Sequence, residues 1–295
     1  MISRDIRPLF GVFCGFMLFS ASLYGCQRQV EPKPVFPDAD PLAHRHRNHS
    51  MTESPNHQLR VFAAQKGDVT DLMVSKRIDK DRWTTPVILD LPRRETNTSP
   101  RFFPDGALYY SSDAPHPARP GRKDLNIWRV DMDADMAGEP TVLPDAINSG
   151  SHEDSFAPLG KDRAVFSSTT LGGVGGFDLY LAEKQNGEWK THPFPHNTAM
   201  ADSHPVTTHD GKILIWYAHL PADAVYGVVD LFVSHLEEGG WSSPQNLGPR
   251  INTAGIDYGA GISSDGKTLF VSRDGVLLET DLEAALAHAG FVAPE

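Results

Sequence analysis

The chain has 295 residues, 40% hydrophobic and 22% charged, with 25 Gly and 23 Pro, which is ample material for a buried core. Lys plus Arg number 27 against 38 Asp plus Glu, a formal charge of −11, and an acidic surface of this size argues against binding nucleic acid through its phosphates. Two Cys exclude a disulfide framework and a Cys-rich zinc site.

Residues 1–25 read as a targeting segment. Arg4 and Arg7 precede an uncharged apolar run, residues 9–23 (LFGVFCGFMLFSASL), short for a membrane span and suited to a signal-peptide core. The run ends Leu23-Tyr24-Gly25-Cys26, which resembles the bacterial lipoprotein box, in which a small residue precedes a Cys that is lipidated and becomes the new N-terminus. That resemblance implies lipidation at Cys26 and attachment to a membrane through the lipid. An uncleaved anchor or an ordinary signal peptide is the alternative. Residue 27 is Gln rather than the Asp that marks inner-membrane retention in this class, so the resemblance favours the outer membrane.

Residues 26–57 carry Pro32, Pro34, Pro37, Pro41 and Pro55 with few apolar residues, and read as a disordered tether. His44, His46 and His49 sit there in HRHRNH, a spacing that suits a transition metal; a solvated basic stretch is the plainer reading.

From residue 58 to 295 the sequence repeats itself. Asp71-Leu72-Met73-Val74, Asn126-Ile127-Trp128, Asp178-Leu179-Tyr180-Leu181 and Asp230-Leu231-Phe232-Val233 open equivalent predicted strands about 52 residues apart. Pro104-Asp105-Gly106, His209-Asp210-Gly211 and Ser264-Asp265-Gly266 mark turns, with Gly160-Lys161-Asp162 as a degenerate copy. Each turn precedes a β-rich run: ALYYSS, AVFSS, KILIWYA and KTLFVS, with LRVFAA in the first unit. Asp-Gly between extended runs is a hairpin signal. Helical periodicity is confined to DLEAALAHA at 281–289. These units predict an all-β protein, a β-propeller of four-stranded antiparallel blades, with five blades favoured and six as the alternative. The first unit lacks a clear inner strand and the last an outer one, as expected if the two ends complete one another.

SPRFFPDGALYYSSD followed by NIWRVD resembles the WD40-like (PD40) propeller repeat of TolB and its relatives. GGVGGFDLYL and NLGPRINTAGIDYGAGISSDGKTLFVSRD are similar to the version found in outer-membrane lipoproteins. The resemblance implies a cell-envelope propeller and is weak for function, because this fold hosts binding modules and enzymes alike.

Several motifs invite chemistry and lose it on inspection. Residues 261–268 satisfy the phosphate-loop pattern, but a strand rather than a helix follows, so a hairpin turn and no nucleotide is expected. Asp131-Met132-Asp133-Ala134-Asp135 begins like a calcium loop but has Met136 where Gly is needed and Val142 where Glu is needed. A solvated hairpin is the better reading, with a structural cation such as calcium as the minor one; no other cofactor is expected. No nucleophile elbow and no H-E-x-x-H motif is present.

Asn148, Asn197 and Asn252 each stand five residues before an acid, Glu153, Asp202 and Asp257, and each acid opens a predicted innermost strand. Asn97 occupies the matching slot of the second blade, and Asp154 and His204 sit beside the acids. A ring of acids at one channel mouth would attract a cation or the basic end of a peptide; alternatively the carboxylates accept backbone N–H bonds at blade-to-blade turns. The loops 113–123, 169–177 and 219–229 differ between blades and gather on one face, with Arg119, Arg122, Phe177 and Tyr226 as candidate contact residues. The expected function is protein or peptide binding by a lipid-anchored envelope module, with an unidentified envelope partner. The alternative is a glycan-processing enzyme using Glu153, Asp202 and Asp257.

Overall fold

The computed structural model describes residues 31–36, 46–80, 82–133, 136–169, 173–221, 224 and 226–291. The signal segment, Cys26 and His44 lie outside the described residues.

Five antiparallel blades form a closed ring, and each blade runs from an innermost strand outward. Blade one holds Arg47–Glu53, Leu59–Lys66, Val69–Lys76 and Val87–Ile88. Blade two holds Asn97–Phe102, Leu108–Ser112, Asn126–Val130 and Thr141–Val142. Blade three holds Glu153–Pro158, Arg163–Ser168, Asp178–Gln185 and Glu188–Pro193. In blade four, Asp202–Thr207, Ile213–His219 and Val229–Glu237 are followed by two short pieces, Gly240–Trp241 and Gln245–Asn246, that both pair with the third strand. Blade five holds Asp257–Ile262, Thr268–Arg273 and Val276–Asp281, and takes its outer strand from Lys33–Pro34.

Two stretches expected in the tether are therefore strands. Arg47–Glu53 is the innermost strand of blade one, and Lys33–Pro34 closes blade five. The pattern of HRHRNH misleads because its strand is buried among polar neighbours at the axis, so its inward residues are not apolar. His49 is 8% exposed, not a solvated residue.

The core lies between blades, not within them. Among the described residues five apolar clusters occupy the five blade interfaces. A blade covered on both faces needs apolar residues on both, which is why strands such as ILIWYAH lack a clean alternation. Phe36, two residues after the N-terminal strand, packs on Phe62 of blade one with ring centroids 5.2 Å apart, so the closing strand also bridges the seam. The helix Leu282–His288 follows blade five directly, with Asp281 capping it by accepting from the Ala284 N–H. No helix of the described residues is long and apolar enough to cross a membrane.

The Asp-Gly turns join the innermost strand to the second in blades two, four and five, as expected. Asp105, Asp210 and Asp265 accept from the N–H two residues on, at 3.1, 3.0 and 3.1 Å. The phosphate-loop match at 261–268 is one of these turns and runs into Thr268–Arg273, a strand. Met132–Asp133 and Met136–Ala137 form a small outer hairpin at the calcium-like motif, with Asp131 paired to Arg129 at 2.7 Å.

All five innermost strands share one irregularity. Each loses register after its second or third residue, and the residue at the break has positive φ: Ser50 (56°), Ser99 (50°), Ser155 (55°), His204 (52°) and Gly259 (57°). A bulge at the same level in every blade re-aims the residues that follow it toward the axis.

Candidate functional site

The three acids that open innermost strands are buried and engaged. Asp257 accepts from Thr253 N and Oγ1 at 2.7 and 2.8 Å and from Arg273 Nε at 2.8 Å. Asp202 accepts from Thr198 N and Oγ1 at 2.6 and 2.9 Å and from Trp216 Nε1 at 3.0 Å. Glu153 accepts from Ser149 and from Ser168 Oγ. Burial raises the pKa of Glu153 and of Asp202, and those hydrogen bonds oppose the rise. Asn97 opens its strand in the same way and donates to Leu91 O at 3.4 Å.

The preceding Asn residues complete each turn. Asn148, Asn197 and Asn252 bind both the N–H and the C=O of one residue in the preceding blade's third strand: Ile127, Leu179 and Leu231. The Asn-Ser/Thr-x-x-x-acid pattern is thus a blade-to-blade staple. The second-to-third-strand loops press on it. A Cβ at Gly175 would collide with the Met200 carbonyl, and one at Gly227 would stand 2.5 Å from the Thr253 carbonyl oxygen, so both loops need Gly there.

The residues after the acids build the axis. His204 Nε2 lies 3.7 Å from Asp154 Oδ2, and Asp154 Oδ1 accepts from Ser111 Oγ at 2.7 Å. His204 Nδ1 is 3.3 Å from Ser203 Oγ, and the His49 and His204 rings are 5.9 Å apart, edge to face. Arg101, 2% exposed, reaches the carbonyls of Pro100, Ala260, Pro205 and Ser50. Burial pulls its pKa down to about 10, which leaves it charged at neutral pH. Burial, reinforced by His204, pushes His49 down to about 3. His204 is lowered by burial too, with Asp154 opposing and Arg101 reinforcing. Both imidazoles are therefore neutral beside a charged Arg101.

Above this cluster, on the loop face, Tyr217 and Tyr258 stand 6.5 Å apart at 85°. Each also touches an axial imidazole: Tyr217 touches His204 with centroids 5.0 Å apart, and Tyr258 touches His49 at 5.4 Å. The two tyrosines, with Arg47, His219, Ile256 and Asp274, line a cleft of about 250 Å³. On the opposite face Arg101 contributes to a second hollow, of about 200 Å³, with Thr52, Thr207 and Ser263. Arg101 thus stands between the two mouths. Two perpendicular aromatic walls above polar groups suit a ring, a sugar face or a cationic side chain. Three or more His, Cys, Asp or Glu placed to hold a metal do not occur among the described residues.

Of the expected loop contacts, Arg119 is bound to Asp145 Oδ1 at 2.7 Å and to Asn148 O at 3.1 Å, and Arg122 donates to Gly150 O. Both tie loop 113–123 to the next blade's staple. Phe177 and Tyr226 are half-buried on the loop face. Asp154 and His204 meet at the axis, whereas Glu153, Asp202 and Asp257 belong to the staples.

Arg101, Tyr217 and Tyr258 escape a reading of the sequence alone, and His49 enters it only as part of HRHRNH in the expected tether, not as an axial residue. One signal would have placed His49: Asn48-His49-Ser50 repeats Asn97-Thr98-Ser99, the two at the same register of their innermost strands.

No family model matches the chain, and no curated protein matches it. Solved structures do. An α-L-arabinofuranosidase from Lactobacillus brevis is 12% identical over 82% of this chain and 92% of that one, with a TM-score of 0.57. A thermostable family-43 glycoside hydrolase is 14% identical over 82% and 90%, with a TM-score of 0.55. TolB from Acinetobacter baumannii is 13% identical over 80% of this chain and 54% of that chain, with a TM-score of 0.48, so the present chain spans about half its length. At such identities the likeness is one of fold: the chain is a five-bladed β-propeller.

Proposed function

We propose that this propeller binds a protein or peptide of the cell envelope through the aromatic cleft on its loop face, and that a lipid on Cys26 holds it to the outer membrane. The observation that carries the binding site is the right-angled Tyr217–Tyr258 pair standing directly over the buried His49, His204 and Asp154. A rigid aromatic corner gives contact area at small entropic cost, and the loops beside it vary from blade to blade. The lipid anchor rests on the Leu23-Tyr24-Gly25-Cys26 box. Metabolic labelling with an alkyne fatty acid tests it: label lost in Cys26→Ser supports the anchor, and label retained removes it. For the cleft, envelope proteins cross-linked to the parent chain should be lost in the Tyr217→Ala/Tyr258→Ala double variant, and an unchanged set would refute the assignment.

Glycan processing is the second reading. One observation favours it: an imidazole–carboxylate pair, His204 and Asp154, beneath an aromatic cleft wide enough for a sugar ring. The acid role then passes to Asp154, since Glu153, Asp202 and Asp257 serve the staples. Oligosaccharide release that disappears in Asp154→Asn would support it; no release from a panel of furanosides and pyranosides would end it.

A further inference from the structure

On the face opposite the aromatic cleft, a hollow of about 560 Å³ opens between blades one and two. Leu59, Phe102 and Met132 give it apolar surface, Lys76 and Arg77 border it from blade one, and the turn at Asp105 borders it from blade two.

The ring repeats this place between blades four and five. Ile213 corresponds to Leu59, because Leu59 pairs with Lys76 and Ile213 with His235 at the same step of their blades. By the same register Ile262 corresponds to Phe102, and Leu282 to Met132. There the space is filled. The C-terminal segment brings Leu286 and Phe291 into the apolar cluster of blades four and five; Phe291 is 3% exposed and meets the His235 ring edge-on at 5.1 Å. Between blades one and two the short hairpin after the third strand lays only Met132 and Ala137 on the cluster, and among the described residues no aromatic side chain fills the hollow beside them.

The two places differ in charge. Where blade four has His235 and Leu236, blade one has Lys76 and Arg77, and the Arg77 Nε is buried with no hydrogen-bond partner. The guanidinium lies over the Trp83 ring, 5.1 Å from its centroid, and puts a positive charge at the border of the hollow, where a carboxylate would pair with it.

We propose that the hollow between blades one and two is a docking site for a partner peptide that presents an aromatic side chain next to a carboxylate. The ring takes the position that Phe291 takes between blades four and five, and the carboxylate meets Arg77. This site is independent of the aromatic cleft and does not rest on its assignment.

The chain supplies its own probe. A synthetic peptide of residues 281–291 (DLEAALAHAGF) ends in an aromatic residue followed by its terminal carboxylate. With p-benzoylphenylalanine in place of Phe291, it is photolysed with the intact protein and the adducts are mapped. Adducts should map to blades one and two around Met132. Their yield should fall about tenfold in Met132→Arg and, separately, in Arg77→Glu, and the unlabelled peptide should compete while its Phe291→Ala form does not. Thermal melts check that both variants fold; should Met132→Arg be unstable, the Arg77→Glu variant, at a half-buried position, decides. Adducts confined to blades four and five, yields unchanged in a folded variant, or no adduct at millimolar peptide would overturn the proposal. So would self-association of the chain abolished by Met132→Arg, which would give the hollow to a second copy.

Discussion

The guanidinium of Arg101 lies 3.0 Å from the carbonyl oxygen of Ala260, a residue 159 positions further along the chain. The same group reaches Pro100 at 2.8 Å, Pro205 at 3.2 Å and Ser50 at 3.4 Å, so one side chain binds carbonyls from blades one, two, four and five. These carbonyls belong to the bulge residues or to those just after them. A buried charge is tolerable only with such partners. Arg101→Met leaves the carbonyls without their donor and Asp154 without its neighbouring cation. It is expected to lower stability by about 3–5 kcal/mol. Arg101→Lys should recover only part, because one ammonium cannot fork to several acceptors. Urea unfolding measures both, and a Met variant as stable as the parent would mean that the blade interfaces alone hold the axis.

The staples make a second prediction. Asn252 binds Leu231 N and O at 2.8 and 2.9 Å and Asn246 Oδ1 at 2.7 Å, all in a buried place. Asn252→Ala strands the Leu231 N–H, while the Leu231 carbonyl keeps the Leu247 N–H at 3.0 Å, and should cost about 1–3 kcal/mol. Asn252→Asp should also destabilise, since a carboxylate cannot donate to the Leu231 carbonyl. Both should shift the urea midpoint at constant slope; midpoints within error of the parent would contradict the staple.

Acid should loosen the axis. His49 has its pKa lowered to about 3 in the folded chain, from 6.5. The unfolded chain therefore binds a proton that the folded chain refuses, and stability falls as pH drops from about 6.5 toward about 3. At pH 5 this one group accounts for about 2 kcal/mol. The lowered His204 acts in the same direction, while the raised Glu153, Asp202 and Asp230 act in the other. Comparing the parent with His49→Gln isolates the imidazole. The parent should lose stability more steeply between pH 6.5 and 4.5, and parallel curves would contradict the burial of a neutral His49.

The N-terminal strand closes the ring with two residues, Lys33 and Pro34, supported by Val35 N on Leu277 O at 3.0 Å and by Phe36 on Phe62. Phe36→Ala should cost about 2 kcal/mol of apolar burial and lower Tm by about 4–8 °C. An unchanged Tm would show the strand to be an ornament of blade five.

Four of the five innermost strands are legible from Asn97, Glu153, Asp202 and Asp257, because each follows the same spacing from a turn. The first is hidden, since Pro and His dominate its surroundings and its inward residues are polar. The acids themselves stand out, yet spacing says nothing of which way a side chain points. The bulge at Ser50, Ser99, Ser155, His204 and Gly259 decides that, and it separates the stapling acids from Asp154 and His204. Arg101 looks like the flank of a turn in SPRFFPDG, and only the closed ring brings it to the carbonyls of other blades. Tyr217 and Tyr258 read as ordinary strand residues until two blades meet.

Photo-cross-linking in intact cells from position 256, where Ile256 is 41% exposed at the rim of the cleft, addresses the binding claim most directly. A discrete protein adduct is predicted, its yield falling about tenfold in the Tyr217→Ala/Tyr258→Ala variant. An adduct pattern that is the same with and without the two tyrosines would contradict the account.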